Sequence, residues 1–253
     1  MTNRSRFVAR IFALVLVLLW LDATAILASE LLEAVKAEDA GRVRAALSAG
    51  ADANELDPST MTPLHMAAAR GSLDIAVLLI EAGADVEAET GEGQGKVHPL
   101  HLATQFDHPD IAALLIEHGA KVDVPDSRGN TSLLLAAKSG YSDIATVLLH
   151  AGADPLIGDA SYGDTAIYIA AMRGDVDVVK LMVAQGVDPN LRNTKTGETP
   201  LWVAAMDNRV EVIEFLLASG ADPNIADNAG KAPIEMSSSS NVRTLLRKFG
   251  ARE

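Results

Sequence analysis

Six histidines are the first candidates for chemistry in this chain, and four of them fall between residues 98 and 118. Zinc bound to protein takes three or four ligands, with histidine nitrogens at about 2.0–2.1 Å. His98 and His101 stand three residues apart, so a helix would place both side chains on one face. The spacing leaves metal binding open beside a purely structural role; we favour the structural role and expect no metal site.

A glycine-rich stretch, residues 91–96 (GEGQGK), hints at a phosphate-binding loop. A complete motif of that kind has Gly at position 90 and Ser or Thr at position 97, and it follows a strand. Thr90 and Val97 occupy those two positions. We therefore interpret the stretch as a lengthened loop and expect neither a cofactor nor a small-molecule substrate.

Five aspartates recur at one position of a repeated loop and could be taken for a carboxylate array. They are Asp52, Asp85, Asp154, Asp188 and Asp222. Asp in such a loop typically accepts hydrogen bonds from backbone N–H groups of its own turn. We therefore expect these carboxylates to stabilise their loops rather than to act in catalysis.

The composition limits the classes of function. Of the 253 residues, 49% are hydrophobic and only 4% aromatic, which suits small, closely packed helices and excludes disorder. The formal net charge of −13 has the wrong sign for a phosphate-binding surface, so nucleic acid is not expected as a partner. The chain has no Cys, which removes disulfides, thiolate metal sites and cysteine nucleophiles.

An internal repeat defines the elements that must position these residues. Glycines at positions 50, 83, 119, 152, 186 and 220 are separated by 33, 36, 33, 34 and 34 residues, and most begin the tripeptide Gly-Ala-Asp. From Gly83 onward, a second signature begins 21 residues before each glycine. Its five copies read TPLHMA (62–67), HPLHLA (98–103), TSLLLA (131–136), TAIYIA (165–170) and TPLWVA (199–204).

This pattern resembles the ankyrin repeat, which has a 33-residue period and the motif T-P-L-H-x-A. The resemblance covers residues 29–253 and implies an all-α solenoid of helix-turn-helix units with protruding finger loops. Five full repeats begin near residues 57, 90, 126, 159 and 193, between a cap at 29–56 and a cap at 227–253. The motif histidines, such as His65 and His101, are by this resemblance structural residues bonded to the neighbouring repeat.

The local chemistry agrees with helix-turn-helix units. Thr is a good N-cap, Pro is preorganised at the first helical position, and Gly supplies the left-handed residue that ends a helix. In the second repeat we expect helices over 98–106 and 109–117, with Ile111, Leu114 and Leu115 as the buried stripe. Because a solenoid with one open face rarely builds a catalytic pocket, we expect no enzymatic activity and no catalytic residues.

The first 28 residues are similar to an export signal. Arg4, Arg6 and Arg10 form a basic region, residues 11–21 are an unbroken apolar run, and Ala25 and Ala28 end candidate cleavage sites. The run is shorter than the about 20 apolar residues of a transmembrane helix. We expect cleavage near Ala25 or Ala28 and a periplasmic or secreted protein, with an uncleaved membrane anchor as the alternative.

In ankyrin-repeat proteins the partner usually lies on the concave face, which comprises the exposed side of the first helices and the finger loops. By resemblance, the partner-binding positions hold Arg70, Gln105, Phe106, Lys138, Tyr162, Tyr168, Met172, Arg173, Trp202, Met206 and Asp207. Tyr168 and Trp202 replace the motif histidine, and each is followed by Met at i+4. Aromatic residues so placed act either as binding anchors or as packing between repeats; we favour binding.

The sequence thus predicts a monomeric, non-enzymatic module that binds another protein on its concave face. An acidic face suits a basic partner through electrostatic steering. The resemblance suggests a bacterial periplasmic protein whose partner is an enzyme that it assists or a toxin that it neutralises. The rival interpretation is an envelope scaffold held in the membrane by the uncleaved N-terminal segment.

Overall fold

The computed structural model describes residues 30–91 and 96–252. The predicted export signal at residues 1–28 and the centre of the glycine-rich stretch lie outside the described residues. The described chain forms helices, turns and loops, and its only strand-like pairing is an isolated bridge between Gly158 and Thr165. The expected all-α architecture is confirmed. None of the described helices is long and apolar enough to cross a membrane.

The helices occur in pairs, which we number as units 1–7. Units 1–4 contain α1 (30–36) and α2 (Ala40–Ser48), α3 (Pro63–Arg70) and α4 (Leu73–Glu81), α5 (Pro99–Gln105) and α6 (Pro109–Glu117), and α7 (Ser132–Ser139) and α8 (Ser142–His150). Units 5–7 contain α9 (Ala166–Arg173) and α10 (Val176–Ala184), α11 (Pro200–Met206) and α12 (Val210–Ala218), and α13 (Pro233–Met236) and α14 (Ser240–Lys248). Units 2–6 correspond to the five expected repeats, and units 1 and 7 to the two caps.

The first helix of a unit begins and ends as the motif predicts. At α3 the Thr62 hydroxyl accepts a hydrogen bond from the backbone N–H of His65 at 3.3 Å. Pro63 occupies the first turn, where its missing N–H removes no helical hydrogen bond. Gly71, with φ 76°, ends the helix in the left-handed conformation.

The turns after the second helices depend on the Gly-Ala-Asp tripeptides. The six repeat glycines have positive φ values between 86° at Gly152 and 96° at Gly119, a region in which other residues are strained. Each of the five recurrent aspartates accepts a hydrogen bond from the backbone N–H two residues ahead, at 2.8–2.9 Å. The expectation that these carboxylates stabilise their own loops is confirmed.

The core is shared between units. The last residue of each motif is an alanine that is at most 1% exposed, which lets neighbouring first helices approach closely. These are Ala67, Ala103, Ala136, Ala170 and Ala204. On α6, Ile111 and Leu115 are buried and Leu114 is half-buried against the same core, as expected for the apolar stripe. Because each stripe packs on the neighbouring units, no unit has a complete core of its own.

A loop that we call a finger precedes each first helix from unit 2 onward. The fingers span 57–61, 90–97, 126–130, 159–164, 193–198 and 227–231. The unit 3 finger has the longest sequence, of which residues 90, 91, 96 and 97 are described. The N–H of Thr90 donates to the carbonyl of Val97 at 3.0 Å and joins the two ends of the finger. The N–H of Gly91 donates to the Thr60 hydroxyl at 2.9 Å, which ties this end to the preceding finger.

Candidate binding face

The concave face, made of the exposed side of the first helices and the fingers, carries most of the predicted partner-binding residues. Nine of the eleven are exposed or half-exposed: Arg70, Gln105, Phe106, Lys138, Tyr162, Met172, Arg173, Met206 and Asp207. The large apolar side chains among them are Tyr162, 68% exposed, Phe106, 50% exposed, and Met206, 38% exposed. Accessible apolar groups of this size are the kind that anchor protein interfaces.

The other two predicted residues, Tyr168 and Trp202, require a correction. Tyr168 is only 7% exposed and Trp202 only 5%, so neither is an accessible anchor. The Trp202 Nε1–H donates to the carbonyl of Lys231 at 3.0 Å, and the Tyr168 hydroxyl donates to the Glu198 carboxylate. Both rings therefore pack between units, with their polar ends satisfied by the next unit, as buried Tyr and Trp usually are.

The motif histidines are structural, as expected. His65 Nε2 lies 3.0 Å from the carbonyl oxygen of Val97, and His101 Nε2 lies 2.9 Å from that of Val124. Burial lowers the pKa of both imidazoles, which favours the neutral form in the folded protein. Within the described ranges, no three His, Cys, Asp or Glu side chains are grouped so as to hold a metal ion.

Three half-exposed carboxylates, Asp164, Glu198 and Asp207, form what we call the acidic patch, at the junction of units 5 and 6. Burial raises the pKa of Asp164, and the nearby charges of Asp159 and Glu198 raise it further. Burial raises the pKa of the Tyr168 hydroxyl, and so does its hydrogen bond to Glu198. The negative charges of Asp164 and Asp207 raise this pKa further. The patch is therefore a region where negative charges repel one another.

Other polar contacts hold the fingers in place behind this patch. Asn193, which is buried, donates through Nδ2 to Asp164 Oδ1 at 2.6 Å and to the carbonyl of Tyr162 at 3.1 Å. The Lys195 ammonium reaches back to the carbonyls of Ala160 and Ser161, both at 2.8 Å. These hydrogen bonds join the fingers of units 5 and 6 and hold the Asp164 carboxylate in place.

Two predicted contact residues also join unit 4 to unit 5. Lys138 Nζ donates to Asp159 Oδ2 at 2.9 Å and to Asn130 Oδ1 at 2.6 Å, and the Asp159 side chain is only 5% exposed. Burial alone would raise the pKa of Asp159, but the hydrogen bonds from Lys138 and the backbone hold it below its usual range. Arg173 donates to the carbonyls of Lys138 and Ser139 at 2.9 and 3.1 Å.

Asp164 and Glu198 are not among the residues predicted from the sequence, so only Asp207 of the acidic patch was expected. Each directly precedes the motif threonine, Thr165 in one repeat and Thr199 in the next. Two acidic residues at the same position of consecutive repeats are a signal that alignment of the repeats could have found. Asp207 was identified because it follows the motif alanine by three residues.

Comparison with known proteins agrees with this geometry. A family model described as ankyrin repeats (3 copies) matches residues 89–159 and 154–227, and a model of the single ankyrin repeat matches residues 60–91. The chain belongs to the ankyrin-repeat family. Ankyrin repeats generally mediate protein–protein interaction, and ankyrin-repeat proteins are typically non-enzymatic. No curated protein matches this ankyrin-repeat chain.

A solved structure shows the same fold. The crystal structure of the human ASB11 ankyrin repeat domain is similar to this ankyrin-repeat protein with a TM-score of 0.66 and 30% sequence identity. The match covers 76% of this chain and 85% of the human domain. The expected ankyrin solenoid is therefore confirmed.

Proposed function

We propose that this ankyrin-repeat protein is an exported, non-enzymatic module that binds a basic partner protein in the periplasm. The partner contacts the concave face of units 5 and 6. Binding of a protein follows from the family, whereas the export, the location and the basic character of the partner are the proposal. The export rests on the basic and apolar pattern of residues 1–28.

The observation that carries the binding proposal is the placement of carboxylates beside exposed apolar side chains. Met206, 38% exposed, directly precedes Asp207 of the acidic patch, and Met172 lies in the last turn of the neighbouring first helix α9. Tyr162, 68% exposed, stands in the same finger as Asp164. Lys and Arg side chains combine an apolar stem with a charged head, so a basic partner can use both kinds of group at once.

Long-range charge supports the same partner. The chain has a formal net charge of −13, and a net negative charge attracts a basic partner before contact is made. A basic partner would therefore associate faster at low ionic strength, and added salt would slow its association. Methionine side chains adapt to irregular surfaces, which suits Met172 and Met206 to this role.

The binding proposal can be tested by capture from periplasmic extract with three forms of residues 29–253. The wild type is compared with Met206→Asp, which adds a charge to the proposed contact, and with Phe249→Asp as control. Phe249 is 42% exposed, close to the value of Met206, but follows the second helix of unit 7. We expect a basic protein that is retained by the wild type and the control and lost with Met206→Asp.

A further variant tests the charge. Asp164→Asn with Asp207→Asn removes two negative charges from the acidic patch and should weaken capture, with a smaller dependence on salt. The proposal is wrong if Met206→Asp and the double Asn variant each retain every captured protein as well as the wild type does.

The export is tested separately by expressing the full chain with a C-terminal tag. We expect the protein in the periplasmic fraction, with its N-terminus directly after Ala25 or Ala28 when read by mass spectrometry. A full-length chain in the cytoplasm would contradict export, and a full-length chain in the membrane would favour the anchored scaffold.

A further inference from the structure

Neighbouring units are joined by side chains that reach forward to the backbone of the next unit, and they form two rows. The first row, which we call the loop ladder, follows the second helices. At five junctions a side-chain oxygen accepts a hydrogen bond from a backbone N–H of the next loop, at 2.7–2.9 Å. The accepting residues are Asn54, Glu87, Asp123, Asn190 and Asn224.

The second row lies in the first helices, at the position of the motif histidine. His65 and His101 bond to backbone carbonyls ahead of them at 3.0 and 2.9 Å, and Trp202 does the same at 3.0 Å. Tyr168 bonds to the side chain of Glu198 in the next finger. The correction to Tyr168 and Trp202 thus places them in a connecting role shared by both histidines.

Unit 4 interrupts both rows at the same junction. Leu156 occupies the loop-ladder position and is 55% exposed, while Leu134 occupies the motif-histidine position and is 1% exposed. Neither aliphatic side chain can form a hydrogen bond. Within residues 30–91 and 96–252, the junction of units 4 and 5 is the one inner junction that lacks both forward bonds.

Charged groups connect units 4 and 5 instead. Lys138 pairs with the buried carboxylate of Asp159, and the Arg173 guanidinium of unit 5 bonds back to the last carbonyls of α7. The Ser142 hydroxyl also donates to Asp175 Oδ2 at 2.8 Å. Each of these three contacts involves a charged side chain. Charged side chains also bond across other junctions, such as Arg209 to the carbonyl of Met172, but those junctions keep at least one bond of the two rows.

We propose that the junction of units 4 and 5 is an ionic joint that divides the stack into two cooperative blocks, residues 30–158 and 159–252. The free energy of unfolding of a solenoid is approximately the sum of the stabilities of its units and of the interfaces between neighbouring units. The junction with the least stable interface therefore separates first. Such local opening leaves each block folded. The joint connects units 1–4 with units 5–7, so it sets how units 5–7, which carry the acidic patch, are held against units 1–4.

The test uses urea unfolding of residues 29–253 with two probes. Trp202 lies in the second block, and the other Trp of the chain, Trp20, is absent from these residues, so tryptophan fluorescence reports only the second block. Far-UV circular dichroism reports both blocks. Because the second block has three units against four, we expect its fluorescence midpoint about 0.5 M or more below the ellipticity midpoint.

Three variants decide whether the joint causes this difference. Lys138→Met removes the ion pair and should widen the gap between the midpoints. Leu156→Asn supplies the missing ladder residue on the surface, where it cannot disturb the core, and should narrow the gap. Leu56→Asn is the matched control, because Leu56 is 50% exposed in a loop but lies outside the ladder position; it should leave the gap unchanged.

The joint is refuted if the two probes give the same midpoint in the wild type and in Lys138→Met. It is also refuted if Leu56→Asn narrows the gap as much as Leu156→Asn does. Neither measurement involves a partner, so the result is independent of the proposed function.

Discussion

Replacing Trp202 by Ala separates a packing role from a binding role. Trp202 is only 5% exposed, and its Nε1–H donates to the carbonyl of Lys231 at 3.0 Å. Truncation of a buried Trp leaves a cavity and costs about 3–5 kcal/mol of the free energy of unfolding. It also removes the partner of the Lys231 carbonyl, which adds to the loss unless water replaces the indole.

A graded series makes this estimate specific. Trp202→Phe keeps a large ring but loses the N–H donor. We expect its free energy of unfolding to lie between those of the wild type and of Trp202→Ala, with about 1 kcal/mol of the decrease due to the lost hydrogen bond. Phe106→Ala serves as the exposed control. Because Phe106 is 50% exposed on the concave face, its truncation should cost about 1 kcal/mol or less.

The assay is urea unfolding followed by far-UV circular dichroism, because Trp202→Ala removes the fluorescent probe. Binding of the captured partner is measured at a urea-free condition where each variant is folded. A destabilisation below about 1 kcal/mol together with a tenfold or larger loss of affinity would refute the reasoning. That result would mean that Trp202 reaches the partner rather than the neighbouring unit.

Three further changes test other parts of the structure. Leu115→Asp places a charge at a fully buried position, so we expect a loss of about 4 kcal/mol or more and early hydrogen exchange in units 2–4. His101 has a lowered pKa when folded, so the unfolded chain binds protons more readily and stability should fall as the pH drops from 7.5 to 5. In His101→Gln, thermal melts across this range should show a smaller fall. Gly91→Ala would bring a Cβ to 2.8 Å from the Thr60 Cβ, so we expect the free energy of unfolding to fall by about 1 kcal/mol, measured by thermal melting. An unchanged melting curve would show that the backbone at Gly91 can shift without cost.

The fold could be predicted from sequence because the repeat supplies independent local signals that agree. The Gly at the end of each second helix and the Thr before four of the first helices lie at a nearly constant spacing, and each has one conformational explanation. The loop aspartates and the motif histidines were predictable for the same reason. The loop aspartates bond within their own turn, and the motif histidines bond to backbone carbonyls ahead of them in the neighbouring repeat.

The burial of the aromatic residues could not be predicted in this way. Tyr168 and Trp202 occupy a position at the border between core and surface, and the side chain that fits there depends on the spacing of two neighbouring first helices. Helix spacing results from the packing of many residues, including small ones such as Ala170 and Ala204. The sequence identified the position correctly but not the direction in which the rings extend.

The two kinds of junction have different consequences for how such a chain can change its length. Asn54, Asn190 and Asn224 bond to backbone groups, which every unit offers whatever its side chains. A unit joined in this way can be duplicated or deleted by recombination, and its new neighbour still provides a partner. Lys138 with Asp159 and Tyr168 with Glu198 need a particular side chain in the adjoining unit. Insertion or deletion of a unit between units 4 and 6 would therefore break these side-chain pairs, even where a backbone-directed bond such as that of Asn190 can form again.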